Sequence, residues 1–126
     1  MKVVIITVVI LIIFFAGTMY INQLVEQNVK EMIAVIKDLD KAIESRNWEE
    51  ANEYIGKLDD SWSHGKKIWP LFMEHAEVDS IDALTIKIKR FIDIEEREMA
   101  LGEIVSLEEM LNHIIHKQSL KLSNIL

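Results

Sequence analysis

The sequence predicts an all-α protein: one N-terminal transmembrane helix followed by a domain of helical hairpins resembling a four-helix bundle. Three observations predict it. Positions 3–20 form an uncharged apolar run, later apolar residues recur at alternating steps of three and four, and the chain holds one proline and four glycines. Few breakers and a three-four spacing describe amphipathic helices rather than a many-turned β fold. The 126 residues suffice for one small domain beside an anchor. The expected division is a transmembrane anchor at 1–21, an acidic helical domain at 22–117 and a loose C-terminal tail at 118–126.

The anchor reads VVIITVVILIIFFAGTMY, from Val3 to Tyr20. Eighteen residues at a rise of about 1.5 Å span roughly 27 Å, close to the hydrocarbon thickness of a bilayer. Its Val and Ile content favours strands in water, but in lipid a lone segment satisfies its backbone only as a helix. Tyr20 stands where an interfacial aromatic belongs. A cleaved secretory signal is the competing reading. Its cleavage site would be Ala16-Gly17-Thr18, and Thr18 is a poor residue to precede the cut. Lys2 gives the first flank its positive charge, whereas the second begins Asn22, Gln23, Glu26. The apolar run thus predicts a single-pass chain of the cell membrane, and the positive-inside bias puts its acidic domain on the extracytoplasmic side.

The first soluble helix continues from the anchor along the seam Val25, Val29, Met32, Ile36, Leu39 and Ile43, stopping near Glu44-Ser45-Arg46. The second starts at Asn47, a capping residue, with Glu50 placed to reach back to its backbone N–H. Along it Trp48, Ile55, Trp62 and Trp69 recur every seven residues, with Ala51, Leu58, Gly65 and Phe72 between them. A seven-residue repeat keeps all eight on one side of a supercoiled helix. Gly65 then leaves a gap among the indoles for a partner side chain. Pro70 lacks an N–H, so the helix kinks or ends within a turn of Trp69.

Asp79 and Asp82 suit the first turn of a third helix with the seam Ile81, Leu84, Ile88 and Phe91. The charged stretch Asp93 to Glu98 breaks that phase and predicts a turn, although no Gly or Pro enforces it. A fourth seam follows at Ala100, Ile104, Leu107, Leu111 and Ile114. An offset of 49 matches Ile43 with Ile92, Ala51 with Ala100, Ile55 with Ile104 and Leu58 with Leu107. Two related hairpins forming a four-helix bundle would produce that register.

The apolar N-terminal helix, NWEEA at 47–51, Trp62 and Trp69, His75 near EVD, and a closing LEEMLNHI resemble the bacterial family catalogued as domain of unknown function 4363. The likeness covers nearly the whole chain. It implies a membrane-anchored helical fold and carries no established activity or catalytic residues.

Chemistry is sparse. Without cysteine there is no disulfide, thiolate site or thiol nucleophile. Beyond the first twenty positions, thirteen basic residues face twenty-one acidic ones, a net charge of −8 that repels nucleic-acid backbones and disfavours anionic headgroups. His113 and His116 share a helical face, but zinc wants three or four converging ligands, so no metal and no cofactor is expected. No serine sits in a Gly-flanked elbow, and no glycine loop cradles phosphate; no catalytic residue is assigned and an enzyme is not expected. The residues left as a ligand or partner seam are Trp48, Trp62, Gly65, Trp69 and His75. Filling the core between hairpins is the simpler role for the indoles. The expected function is a membrane-anchored interaction or scaffold protein. Its expected partners are lipid, through the first helix, and either a second copy or a membrane protein. The alternative is an extracytoplasmic sensor taking a small apolar or metal ligand between helices.

Overall fold

The computed structural model describes residues 1–71 and 73–125, with side chains except at 118 and 121–125. Phe72, an expected seam residue, lies outside the described residues. Four α-helices make up the described chain: α1 (Lys2–Glu44), α2 (Trp48–Gly65), α3 (His75–Asp93) and α4 (Arg97–Ile125), with a one-turn 3-10 helix at Trp69–Leu71. The chain is all-α, an apolar helix leading into a helical bundle.

α1 is one unbroken helix of 43 residues, about 65 Å long. Its N-terminal part is bare: no residue of its most apolar eighteen-residue window is buried, and the helix is long and apolar enough to cross a membrane. Both threonines there donate their hydroxyls to their own helix, Thr7 to the carbonyl of Val3 at 2.8 Å and Thr18 to that of Phe14 at 2.9 Å. Burial starts at Asn22 and then follows the predicted seam, with Val25, Val29, Met32, Ile36, Leu39 and Ile43 all fully enclosed.

α1 ends where Ser45 turns its hydroxyl onto the Lys41 and Ala42 carbonyls and Arg46 takes a left-handed φ of 58°. Asn47 then caps α2, its side chain accepting the Glu50 N–H at 3.2 Å. The reciprocal half of the capping box is not formed. The Asn47 N–H donates instead to the Ala42 carbonyl at 2.8 Å, which closes the end of α1. α2 buries Ala51, Ile55, Leu58, Trp62 and Gly65, and Trp48 is half-buried against the core.

The single seam through Trp69 is corrected by the structure. α2 stops at Gly65, so Trp69 belongs to the separate turn that follows. Pro70 explains the stop, because its ring would clash with the carbonyl four residues back and it offers no N–H. α3 begins at His75, a turn earlier than the acidic residues suggested, after Glu74 in an extended conformation with no side-chain cap. Its buried stripe is Val78, Ile81, Thr85, Ile88 and Ile92, while Leu84 and Phe91 are half-buried. Thr85 satisfies its buried hydroxyl on the Ile81 carbonyl at 2.9 Å. α4 buries the predicted Ala100, Ile104, Leu107, Leu111 and Ile114. It continues as helix to Ile125, through residues expected to form a loose tail, with Ser119 and Leu120 exposed.

α1 packs along α2 and α4, and α3 along α4 and α2, so the helices form an up-down-up-down bundle around one core. The halves follow one pattern. At the offset of 49, Arg46 (φ 58°) matches Glu95 (φ 55°). The bond from the Asn47 N–H to the Ala42 carbonyl recurs, also at 2.8 Å, from the Glu96 N–H to the Phe91 carbonyl. Arg97 ties the two turns together, its Nε donating to the Glu44 carbonyl at 3.0 Å. Both turns therefore occupy the bundle end far from the apolar segment, and the α2–α3 connection occupies the near end.

Candidate functional site

The one concentration of aromatic and polar groups inside the described bundle lies at the near end, where α1, α2 and the Trp69–Leu71 turn meet. Trp62 and Trp69 are 2% and 0% exposed, so neither presents a face to a ligand. Their rings meet edge to face at 5.0 Å and 86°, an arrangement that sets the positive edge of one ring against the negative face of the other.

Each indole N–H, costly to bury without a partner, reaches a different helix. Trp69 Nε1 donates to Asn28 Oδ1 at 3.0 Å, and Asn28 in turn donates its Nδ2 to the Ser61 carbonyl at 2.9 Å. Trp62 Nε1 donates to Asp82 Oδ1 at 2.9 Å, whose other oxygen accepts Lys66 Nζ at 2.8 Å. The Lys66 ammonium and, second, the Trp62 indole hold the Asp82 carboxyl below its ordinary value of 3.8. The net result ties α1 to α2 and the following turn through Asn28, and α2 to α3 through Asp82.

Gly65 is not an opening for a partner side chain. A Cβ there would collide with Asn28 Oδ1 and lie 2.8 Å from Trp69 Nε1. The space that the heptad reading left vacant is filled from within, by an amide from α1. Reading α2 alone could not reveal this. The available signal was Asn28 itself, a polar residue flanking Val25 and Val29 on an otherwise apolar stripe.

Of the five seam residues, Trp62, Gly65 and Trp69 come together. Trp48 lies at the opposite end of α2, about 21 Å from Trp62 by helical rise. His75 is exposed at the start of α3. The other histidines are also exposed, His64 with its Nδ1 2.8 Å from the Asp60 carbonyl. Among the described residues no three His, Asp or Glu side chains gather as a metal site. A cleft of about 200 Å³ opens beside Asn28 and Trp69, with Leu24, Glu31, His64 and Ile68 on its walls. That is below the roughly 300 Å³ at which small-molecule pockets begin.

The fold and this cluster define a class: a four-helix bundle whose first helix projects as a bare apolar rod, fastened at the near end by two buried tryptophans. Residues 19–125 match the family described as Domain of unknown function (DUF4363), and the chain belongs to that family. Neither comparison with curated proteins nor comparison with solved structures gives a match.

Proposed function

We propose that the protein is a single-pass, membrane-tethered scaffold whose acidic bundle stands on the extracytoplasmic face and supports a membrane partner or a second copy. The observation that carries this reading is the continuity of α1. One helix without a break supplies both the exposed apolar segment and a full wall of the bundle core. In water that segment would expose Val3 to Phe15 at 48% or more for each large apolar side chain, a patch of the kind that marks a membrane or protein contact. Its two threonine hydroxyls are satisfied by its own backbone, as a lipid environment requires. A continuous helix also transmits position and orientation from the bilayer to the bundle, which suits a scaffold. Lys2 at the inner flank agrees with an outward-facing domain.

The test is fractionation followed by mild detergent extraction of the full chain. The reading expects an alkali-resistant membrane protein that retains its N-terminal residues and copurifies with a stoichiometric partner or as a dimer. Recovery of a soluble chain starting near Met19 would overturn the tether, and an extracted monomer with no partner would overturn the scaffold. The cleft beside Trp69 favours a second reading, a sensor for a small ligand. Its small volume limits it, and the absence of a thermal shift with zinc, haem or lipid would remove it.

A further inference from the structure

We infer that the α2–α3 connection is a second membrane contact: Lys67, Ile68, Pro70 and Leu71 rest in the lipid headgroup layer beside the anchor. The inference builds on the tether proposed above and adds where the bundle touches the bilayer. Height along α1 is the first argument. With the hydrocarbon boundary near Tyr20, Leu24 lies about 6 Å beyond it, within a headgroup zone roughly 5–7 Å thick on each face. Ile68 walls the same cleft as Leu24, while Trp69 is bonded to Asn28, about 12 Å beyond the boundary. The connection is therefore held at the outer edge of that zone by the Trp69–Asn28 bond, with its exposed side chains left to reach the headgroups.

Exposure and charge make the second and third arguments. Leu71 is 72% exposed, more than any other large apolar side chain of the described bundle, and Pro70 beside it is exposed too. An exposed apolar tip preceded by two lysines is a composition that enters a bilayer interface. The chain's acidity is not evenly spread. Residues 66–73 carry Lys66 and Lys67 and no acidic group, whereas the far-end segments 44–50 and 93–98 carry seven acidic residues against Arg46 and Arg97. Lys66 is engaged by Asp82, and Lys67 is exposed. The bundle thus turns its least negative end to the membrane and its most negative end away, which an anionic leaflet favours. The net negative charge of the domain as a whole conceals this polarity.

Because the chain lacks cysteine, single-cysteine labelling of the full protein tests the inference directly. Leu71→Cys, Val9→Cys and Glu49→Cys would each carry an environment-sensitive fluorophore. The proteins would be reconstituted in phosphatidylcholine–phosphatidylglycerol vesicles containing headgroup-nitroxide or acyl-chain-nitroxide lipid. The expected result is strong quenching at 71 by the headgroup nitroxide, strong quenching at 9 by the acyl-chain nitroxide, and little at 49 by either. Quenching at 9 with none at 71 overturns the second contact and leaves the tether standing. No quenching at 9 overturns both. A label at 71 that is blue-shifted yet unquenched would mean that protein covers the connection, which also overturns the inference.

Discussion

The indole N–H of Trp69 donates to the side-chain oxygen of Asn28 at 3.0 Å, across 41 residues of sequence. Gly65 lets the two meet, since any Cβ there would occupy the place of the Asn28 amide. This contact locks the α2–α3 connection to α1 at the end nearest the apolar segment.

Gly65→Ala should therefore destabilise the bundle by about 2–3 kcal/mol, combining overpacking with a lost buried hydrogen bond. Glycines elsewhere supply the control. Gly56 and Gly102 have nothing within 4 Å of an added Cβ, so alanine at either should stabilise by about 0.5–1 kcal/mol through helix propensity. Urea unfolding of the three variants checks both signs. Equal losses at all three positions would show that the Asn28 contact has no special weight.

Trp62→Ala should cost about 3–5 kcal/mol, because removing an indole 2% exposed leaves a cavity that the surrounding core cannot fully close. Trp62→Phe keeps most of the packing and loses the bond to Asp82, so about 1 kcal/mol is expected. The ratio between the two variants, read from unfolding midpoints, reports packing against hydrogen bonding. An alanine variant of unchanged stability would place the indole at an exposed interface instead of the core.

Asp82 gives the fold a pH dependence of definite sign. Its carboxyl is held below 3.8 in the folded state, first by Lys66 and then by the Trp62 indole. The charged form is thus favoured by folding. Its contribution is present above the unfolded value and fades as pH falls through the lower folded value. Asp82→Asn should be less stable than the parent at neutral pH, with the difference shrinking on acidification through that window. Because the Lys66–Asp82 pair is exposed, the difference should be small and should shrink further in high salt. A difference that grew toward acid would refute the assignment.

How far the sequence could be read depended on whether the determinant lay on one helix or between two. The seams of α1 and α4 were legible residue by residue, since burial repeats with the helical period and nothing interrupts it. The turn after Asp93 was also legible, from the break in phase alone. The seam of α3 was partly legible: Ile81 and Ile88 are buried, but Leu84 and Phe91 yield the central position to Thr85 and Ile92. A buried threonine that bonds its own helix carries no apolar signal. At the near end the reading found the tryptophans and missed their partners, Asn28 and Asp82. Those residues come from α1 and α3, and only the bundle brings them to α2. Gly65 reads as a gap that a partner side chain could enter, and the amide found beside it comes from α1, which α2 alone could not show.

The two turns differ in one repairable respect. Asn47 caps α2 through its side chain, and 49 positions later Glu96 occupies the same place before α4, its carbonyl accepting the Ala100 N–H at 3.0 Å as that of Asn47 accepts the Ala51 N–H at 2.9 Å. Asparagine is a strong N-cap because its short side chain reaches the N–H three residues on, while glutamate is one methylene too long to do so well. Glu96→Asn should therefore let position 96 accept the Met99 N–H, as Asn47 accepts that of Glu50, and stabilise the protein by about 1 kcal/mol. The variant also removes a charge from the acidic far end, so Glu96→Gln is the proper reference: it makes the same charge change without the cap. A gain of Asn over Gln in thermal unfolding would establish that both hairpins use one turn design. Equal stability would mean that their shared backbone hydrogen bonds do not extend to the cap.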